Sequence, residues 1–325
     1  MQSPVGFKWL NFKVTAVFTI LLLVLNFIVI SDTAEGVETP GESPRIIYHN
    51  IDPAGDDHGF GDYIYPQHAV FEPGKGLFDI KEFTISKHSD YYVFTFEFKT
   101  ITDPWQGRYN FSHQLIHLYF DTGEGGKYDL FRPGANVEFS RESLWNYHLR
   151  LSGWWLRFME PDDDPQDLIR DLDIDAESSP WDVEEGIVSR YENNIRVVLP
   201  REYIPDDLTG SNFYLLVGSF DPFGEDYFRD IQPEKSNWYF ASSKVENPEK
   251  APRVIDWFYP EAGIQEDILG DFLQSKPVLK PLSITEPEIP AQPVLSSDLR
   301  KIYVLLNLIL GLGILTAIIY STIKK

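Results

Sequence analysis

Apolar and polar residues alternate with a period of two along much of the chain. In Tyr91–Phe98 (YYVFTFEF), Tyr92, Phe94, Phe96 and Phe98 fall on one face and Tyr91, Val93, Thr95 and Glu97 on the other. This pattern predicts a strand with its aromatic face in a core. Comparable runs occupy Gln114–Asp121, Leu149–Phe158, Asn194–Leu199, Phe213–Phe220 and Trp238–Ser242, separated by clusters of Gly, Pro, Asp and Asn. Short strands spaced by such turns predict an all-β, antiparallel β-sandwich. Helical periodicity is confined to Gln166–Leu172 and Ile264–Phe272, both too short to form the core.

Two segments break the alternation. Val14–Ile30 carries no charge over 17 positions and follows Lys8 and Lys13, and Ile302–Tyr320 is apolar over 19 positions and ends near Lys324 and Lys325. The second is long enough to span a bilayer. The first reads as a signal peptide, with Ser31 and Ala34 as small residues for cleavage, or as a retained anchor. Lys8 and Lys13 place the N-terminus inside, so the intervening region is expected outside the cell, tethered to the membrane at its C-terminal end. The expected organisation is a signal peptide or anchor over 1–31, a linker over 32–44, a β-sandwich over 45–272, a proline-rich spacer over 273–298 and a transmembrane anchor over 299–325. Extended as polyproline II, the 24 residues Ser275–Asp298 reach roughly 75 Å.

Charge sharpens this division. The whole chain of 325 residues has a net charge of -22, but its 50 acids all lie within 32–298 together with only 22 bases, a net of -28. A field of that sign repels polyanions, so nucleic acid is not an expected partner. Cysteine is absent, which excludes disulfides, thiolate metal sites and a cysteine nucleophile.

The chemistry offered is that of binding. Asp52-Pro-Ala-Gly-Asp56-Asp57-His58-Gly-Phe-Gly-Asp62 places four acids among three glycines in 11 residues. Carboxylates so crowded are either neutralised by a cation or left in solvent, and both readings stand. Calcium takes six to eight oxygens in flexible geometry, and Asp52, Asp56, Asp57 and Asp62 are the candidate ligands. The loop lacks the order of an EF-hand. Asp121-Thr-Gly-Glu-Gly-Gly reads as a hairpin turn, and Glu160–Glu177 as a solvated acidic insertion.

Aromatic residues make up 15% of the chain. Most must pack a core, but flat rings also stack on the C–H faces of sugars. Trp105, in a Pro-Gly-rich loop, is the leading candidate for a surface platform, with one of Trp154 and Trp155 beside it. Asn110-Phe-Ser112 is a glycosylation sequon, making Asn110 a candidate acceptor. His113 and His117, four apart on a strand, stand about 13 Å from each other, too far to share a metal. There is no G-x-S-x-G, H-E-x-x-H or P-loop pattern, and abundant acids do not single out the carboxylate pair that glycoside hydrolysis needs.

IDPAGDDHGFGDYIYPQHAVFEPGKGLFDIKEFTI (51–85), DPWQG (103–107), QLIHLYFDTGEGG (114–126), NNIRVVLP (193–200) and LLVGSFDPFGEDYFRD (215–230) together resemble the C-terminal binding module of glucodextranase. This is a DOMON-like β-sandwich also attached to amylopullulanases and surface-layer-associated proteins. The resemblance runs in order through residues 45–245. It implies a non-catalytic carbohydrate-binding or surface-attachment module, with polysaccharide (α-glucan or envelope glycan) as partner and surface-layer or transporter proteins as further partners. A structural role in envelope assembly is the alternative reading, and a glycoside hydrolase a minor one. The haem-binding branch of the DOMON class needs Met and His ligands, for which only Met159 is placed.

Overall fold

A computed structural model describes residues 44–163 and 187–285. Both apolar spans, residues 32–43 of the linker, the acidic insertion from Asp164 with its expected helix, and the spacer beyond 285 lie outside the described residues. Among the described residues no helix is long and apolar enough to cross a membrane.

Two antiparallel sheets form the sandwich. In the first, β2 (Ile80–Lys87) and β3 (Tyr91–Phe98) make a hairpin. It is flanked by β1 (Arg45–Ile51) on one side and by β9 (Asn194–Pro200) and β8 (Val188–Tyr191) on the other. The second runs β13 (Val254–Trp257), β10 (Asn212–Ser219), β4 (Gln114–Asp121), β6 (Tyr147–Leu151), β7 (Leu156–Met159). The alternation predicted the inner face correctly: Tyr92, Phe94, Phe96 and Phe98 are fully buried. Phe94 meets Phe120 of the facing sheet at 5.5 Å, and Phe83, stacked on Phe96 at 5.0 Å, meets Phe213 at 5.5 Å. Burying each such ring contributes about 1.5–3 kcal/mol, so in a chain without cysteine the clasp between the sheets is aromatic.

The second sheet is buried on both faces, so its strands read as continuous apolar runs. Seven of the eight residues of β4 are buried. On its outer face His117, Tyr119 and Tyr214 lie under a third layer that includes β5 (Glu138–Phe139) and residues 122–146 and 220–241. Phe139 stacks on Tyr214 at 4.2 Å, Trp145 meets Tyr119 at 5.4 Å, and Phe228 meets His117 at 4.7 Å.

Three boundaries differ from expectation. Leu149–Phe158 is two strands, β6 and β7, turned at Ser152–Trp155. Of Trp238–Ser242 only Phe240–Ala241 is a strand, β12, pairing with β11 (Ile231–Gln232). The stretch read as the beginning of a free spacer is fastened to the domain, because β14 (Val278–Leu279) pairs with β5 and β15 (Leu282–Ser283) pairs with β10. Backbone bonding in these short bridges overrides the proline-rich composition around them.

Register places the functional end. Ile51 lies opposite Glu82, Ile80 opposite Phe98, Gln114 opposite Ser219, Leu151 opposite Leu156, and Gly218 opposite Val254. The loops 52–79, 99–113, 152–155 and 220–239 therefore open at one end of the sandwich, and Gln114 Nε2 donating to the Leu77 carbonyl at 2.6 Å joins the sheets there.

Candidate functional site

Two features meet at this end. The first is acidic. Asp52 extends β1 by one ladder bond, its N–H donating to the Lys81 carbonyl at 2.9 Å, and its Oδ1 accepts from the Tyr259 amide at 2.7 Å. Asp256, within β13, faces the space between the sheets and is fully buried, its Oδ2 accepting from the Ile80 amide at 2.8 Å. Asp56 reaches the same point from the loop. One oxygen of each of Asp52, Asp56 and Asp256 lies within 4.8 Å of the others.

The loop is folded over this point by α1 (Ile264–Gly270) and by one glycine. Gln265 Nε2 donates to the carbonyls of Asp56 at 2.6 Å and Gly59 at 3.1 Å, while its Oε1 accepts from the Trp257 amide at 2.5 Å. Gly59 sits at φ +59, where a Cβ would stand 2.2 Å from the Tyr63 ring. Burial, then the neighbouring charge of Asp56, pushes the Asp52 carboxyl up to about 9, and burial pushes Asp56 up to about 7. Asp256 is raised well above the usual carboxylate range by burial and then by Asp52 and Asp56. Asp79, also fully buried, adds a further negative charge nearby.

Of the four acids that the sequence singled out, Asp52 and Asp56 come together and the other two do not. Asp57 Oδ2 accepts from the Tyr65 hydroxyl and from the Gly76 amide at 2.7 Å. Asp62 accepts from the Ser242 hydroxyl at 2.8 Å and stands 3.7 Å from Lys244 Nζ. Their place is taken by Asp256, which sequence reasoning missed. Its only signal was a lone acid inside an otherwise apolar strand, VIDW. Asp121, in the second acidic turn, likewise bonds locally, to the Gly123 amide and the Ser143 hydroxyl.

The second feature is aromatic. Phe71, buried, is flanked edge-on by Trp105 at 5.9 Å and Trp238 at 6.5 Å. Trp238 is 44% exposed and stacks on His68 at 4.3 Å with an interplanar angle of 21°. Tyr239 beside it is 39% exposed, and Phe223, earlier in the same loop, 95%. Arg229 holds these loops in place: it donates to the Trp238 carbonyl at 2.8 Å, the Phe220 carbonyl at 2.7 Å and Asp221 at 3.1 Å, with its guanidinium 5.2 Å from the Phe71 ring centre.

Trp105 is partly buried and leans on His113 at 4.8 Å, so it presents only part of its ring. Trp155 is buried under the Arg157 guanidinium at 4.1 Å and is structural, whereas Trp154 is half-buried against Phe220 at 4.8 Å. The two do not alternate on a strand, because they lie in the turn between β6 and β7. Gly153 seats that turn, with its carbonyl accepting from the Tyr109 amide at 2.9 Å, and a Cβ there would be 1.8 Å from the Phe111 carbonyl oxygen. Gly153→Ala is expected to cost about 1–3 kcal/mol in a denaturant titration, because the carbonyl it strikes is backbone. Asn110 stands exposed on a neighbouring turn at φ 62.

A β-sandwich that gathers exposed rings and a buried acid cluster at one end defines a binding module. The family model for the C-terminal binding module, SLH-like, of glucodextranase matches residues 47–281. The chain belongs to this family. The match is to a binding module and not to a catalytic domain. No curated relative matches the chain.

Proposed function

We propose that this protein is a membrane-tethered, extracellular, non-catalytic module that binds polysaccharide, either an α-glucan or the envelope glycan of its own cell. The aromatic end of the sandwich is the binding face. The observation that carries this reading is Trp238: a large ring nearly half exposed, propped on His68 and fixed through its backbone by Arg229. A ring held rigid from below and open above suits a sugar's C–H face, since little freedom is lost on binding. Trp105 and Tyr239 extend the platform, and Trp154 forms its rim. The apolar spans at 14–30 and 302–320 support the tether and the export.

Affinity electrophoresis of the full-length chain in detergent tests this. Soluble α-glucan or envelope glycan is expected to retard it, and Trp238→Ala is expected to weaken that retardation about tenfold or more while the domain still unfolds cooperatively, with only a small fall in melting temperature from the lost contacts to His68 and Phe71. Absence of retardation by either glycan would leave the assembly reading in its place, to which the family's SLH-like character points.

A further inference from the structure

The acid cluster and the aromatic face make separate demands, and the former is unexplained by sugar binding. Carboxylates buried together are costly unless each is paired or coordinated. Asp256 is fully buried, yet its Oδ1 has no hydrogen-bond partner, and the same holds for Oδ2 of Asp52, which is 4% exposed, and Oδ1 of Asp56. The remaining oxygens of Asp52 and Asp256 are committed to backbone amides, which fixes the free ones in place. Asp52, Asp56 and Asp256 thus each carry one desolvated carboxylate oxygen without a hydrogen-bond partner, and the three carboxylates stand so close that one oxygen of each lies within 4.8 Å of the others.

We propose that Asp52, Asp56 and Asp256 form a divalent-cation centre. The donors are all hard oxygens, and the set contains no sulfur or imidazole, which selects calcium or magnesium over zinc or copper. Calcium–oxygen distances of about 2.3–2.6 Å let opposite ligands stand about 5 Å apart, so the three oxygens fit around one calcium ion. Three carboxylates leave coordination positions for carbonyls or water, which calcium accepts in irregular arrangements. The ion joins the end of β1 and the loop that follows it to β13, fastening the segment that goes on to carry His68 and Phe71. This assignment is independent of what the aromatic face holds.

The test is titration of calcium by calorimetry into the full-length chain stripped with chelator, together with its melting temperature. One-site binding is expected. The melting temperature should rise by about 5–10 °C at about a hundredfold excess over Kd, with a smaller rise for magnesium. Asp256→Asn keeps an acceptor for the Ile80 amide and removes one charge. It should bind calcium at least tenfold more weakly while melting in chelator no lower than the unaltered chain. Asp56→Asn, on the surface loop, gives the same reading if the core variant does not fold. Asp62→Asn, whose carboxylate is engaged elsewhere, should titrate like the parent. An unchanged melting temperature with no heat of binding overturns the proposal, as does calcium binding by both the Asp256 and Asp56 variants at parental strength.

Discussion

Replacing Asp226 with asparagine is expected to destabilise the domain by about 3–5 kcal/mol, the largest single-residue effect anticipated here. Asp226 and Arg150 form an ion pair in the layer outside the second sheet, with both side chains almost wholly shielded from water. Burial alone lifts the Asp226 carboxyl above its ordinary range, and Arg150, Arg132 and Arg157 pull it back down. Burial likewise lowers Arg150, with the Asp226 charge opposing it. Neither partner is comfortable, and their attraction offsets the desolvation only while both are present. Arginine does not shed its proton to escape, so removing the carboxylate leaves Arg150 charged and buried beside Arg157 and Arg132.

Asparagine preserves the shape of Asp226 and tolerates its left-handed backbone (φ 49), which isolates the charge effect. Urea titration measures the loss, and a loss under about 1 kcal/mol would show that water reaches the pair. The double variant Arg150→Met with Asp226→Asn should recover much of it, since no unpaired charge then remains.

How far such features are visible in a sequence depends on whether their partners are near in the chain. The aromatic face of β3 could be read from YYVFTFEF because alternation is a local property, and residues 91–98 suffice to show it. Asp52 and Asp56 stood out because they share one acidic loop. Asp57 and Asp62 stood out equally, but their partners, Gly76 in one case and Ser242 in the other, are set by folding that composition does not encode. Asp256 was hidden for the converse reason: it is one acid in a four-residue strand, and its meaning arises only when β13 is laid beside β10 and Asp256 turns between the sheets. Trp238 was absorbed into a strand that begins two residues later. The adjacent Trp-Tyr pair after Ser236-Asn237 was the available sign, because two large neighbouring rings at a turn are hard to bury together. The third layer was not legible at all, because a strand covered on both faces loses its alternation.

Acid should unfold this domain through its histidines, and His113 is the one that isolates the effect. It is fully buried among Phe71, Phe78 and Trp105. Burial, then the Arg229 charge, lowers it to about 4, against the smaller opposing effects of the Val70 backbone and Asp103. The folded state therefore holds it neutral while the unfolded chain titrates near 6.5. A group depressed in this way stabilises the fold fully above about pH 6.5. That contribution is lost as pH falls from there towards 4, where the folded group also protonates. The loss is on the order of 3 kcal/mol, at about 1.4 kcal/mol per pH unit in the middle of the window.

His117 and His148, in contact on the outer face of the second sheet at 3.2 Å, are also held well below the ordinary histidine range, His117 by burial and then Arg150, His148 by burial and then His117 and Arg150, and act in the same sense. The raised carboxyls of Asp52, Asp56 and Asp256 act oppositely in the ion-free protein, since their folded forms retain protons that the unfolded chain releases above about pH 4. The total pH profile thus mixes two opposed sets, and a difference measurement is required. His113→Phe keeps the ring and its aromatic neighbours but not the titration. Its stability relative to the parent should rise as pH is lowered from 7 to 4, by about one proton's worth of slope. Parallel profiles for the two proteins would show that His113 takes up its proton in the folded state and that the pocket around it is open to water.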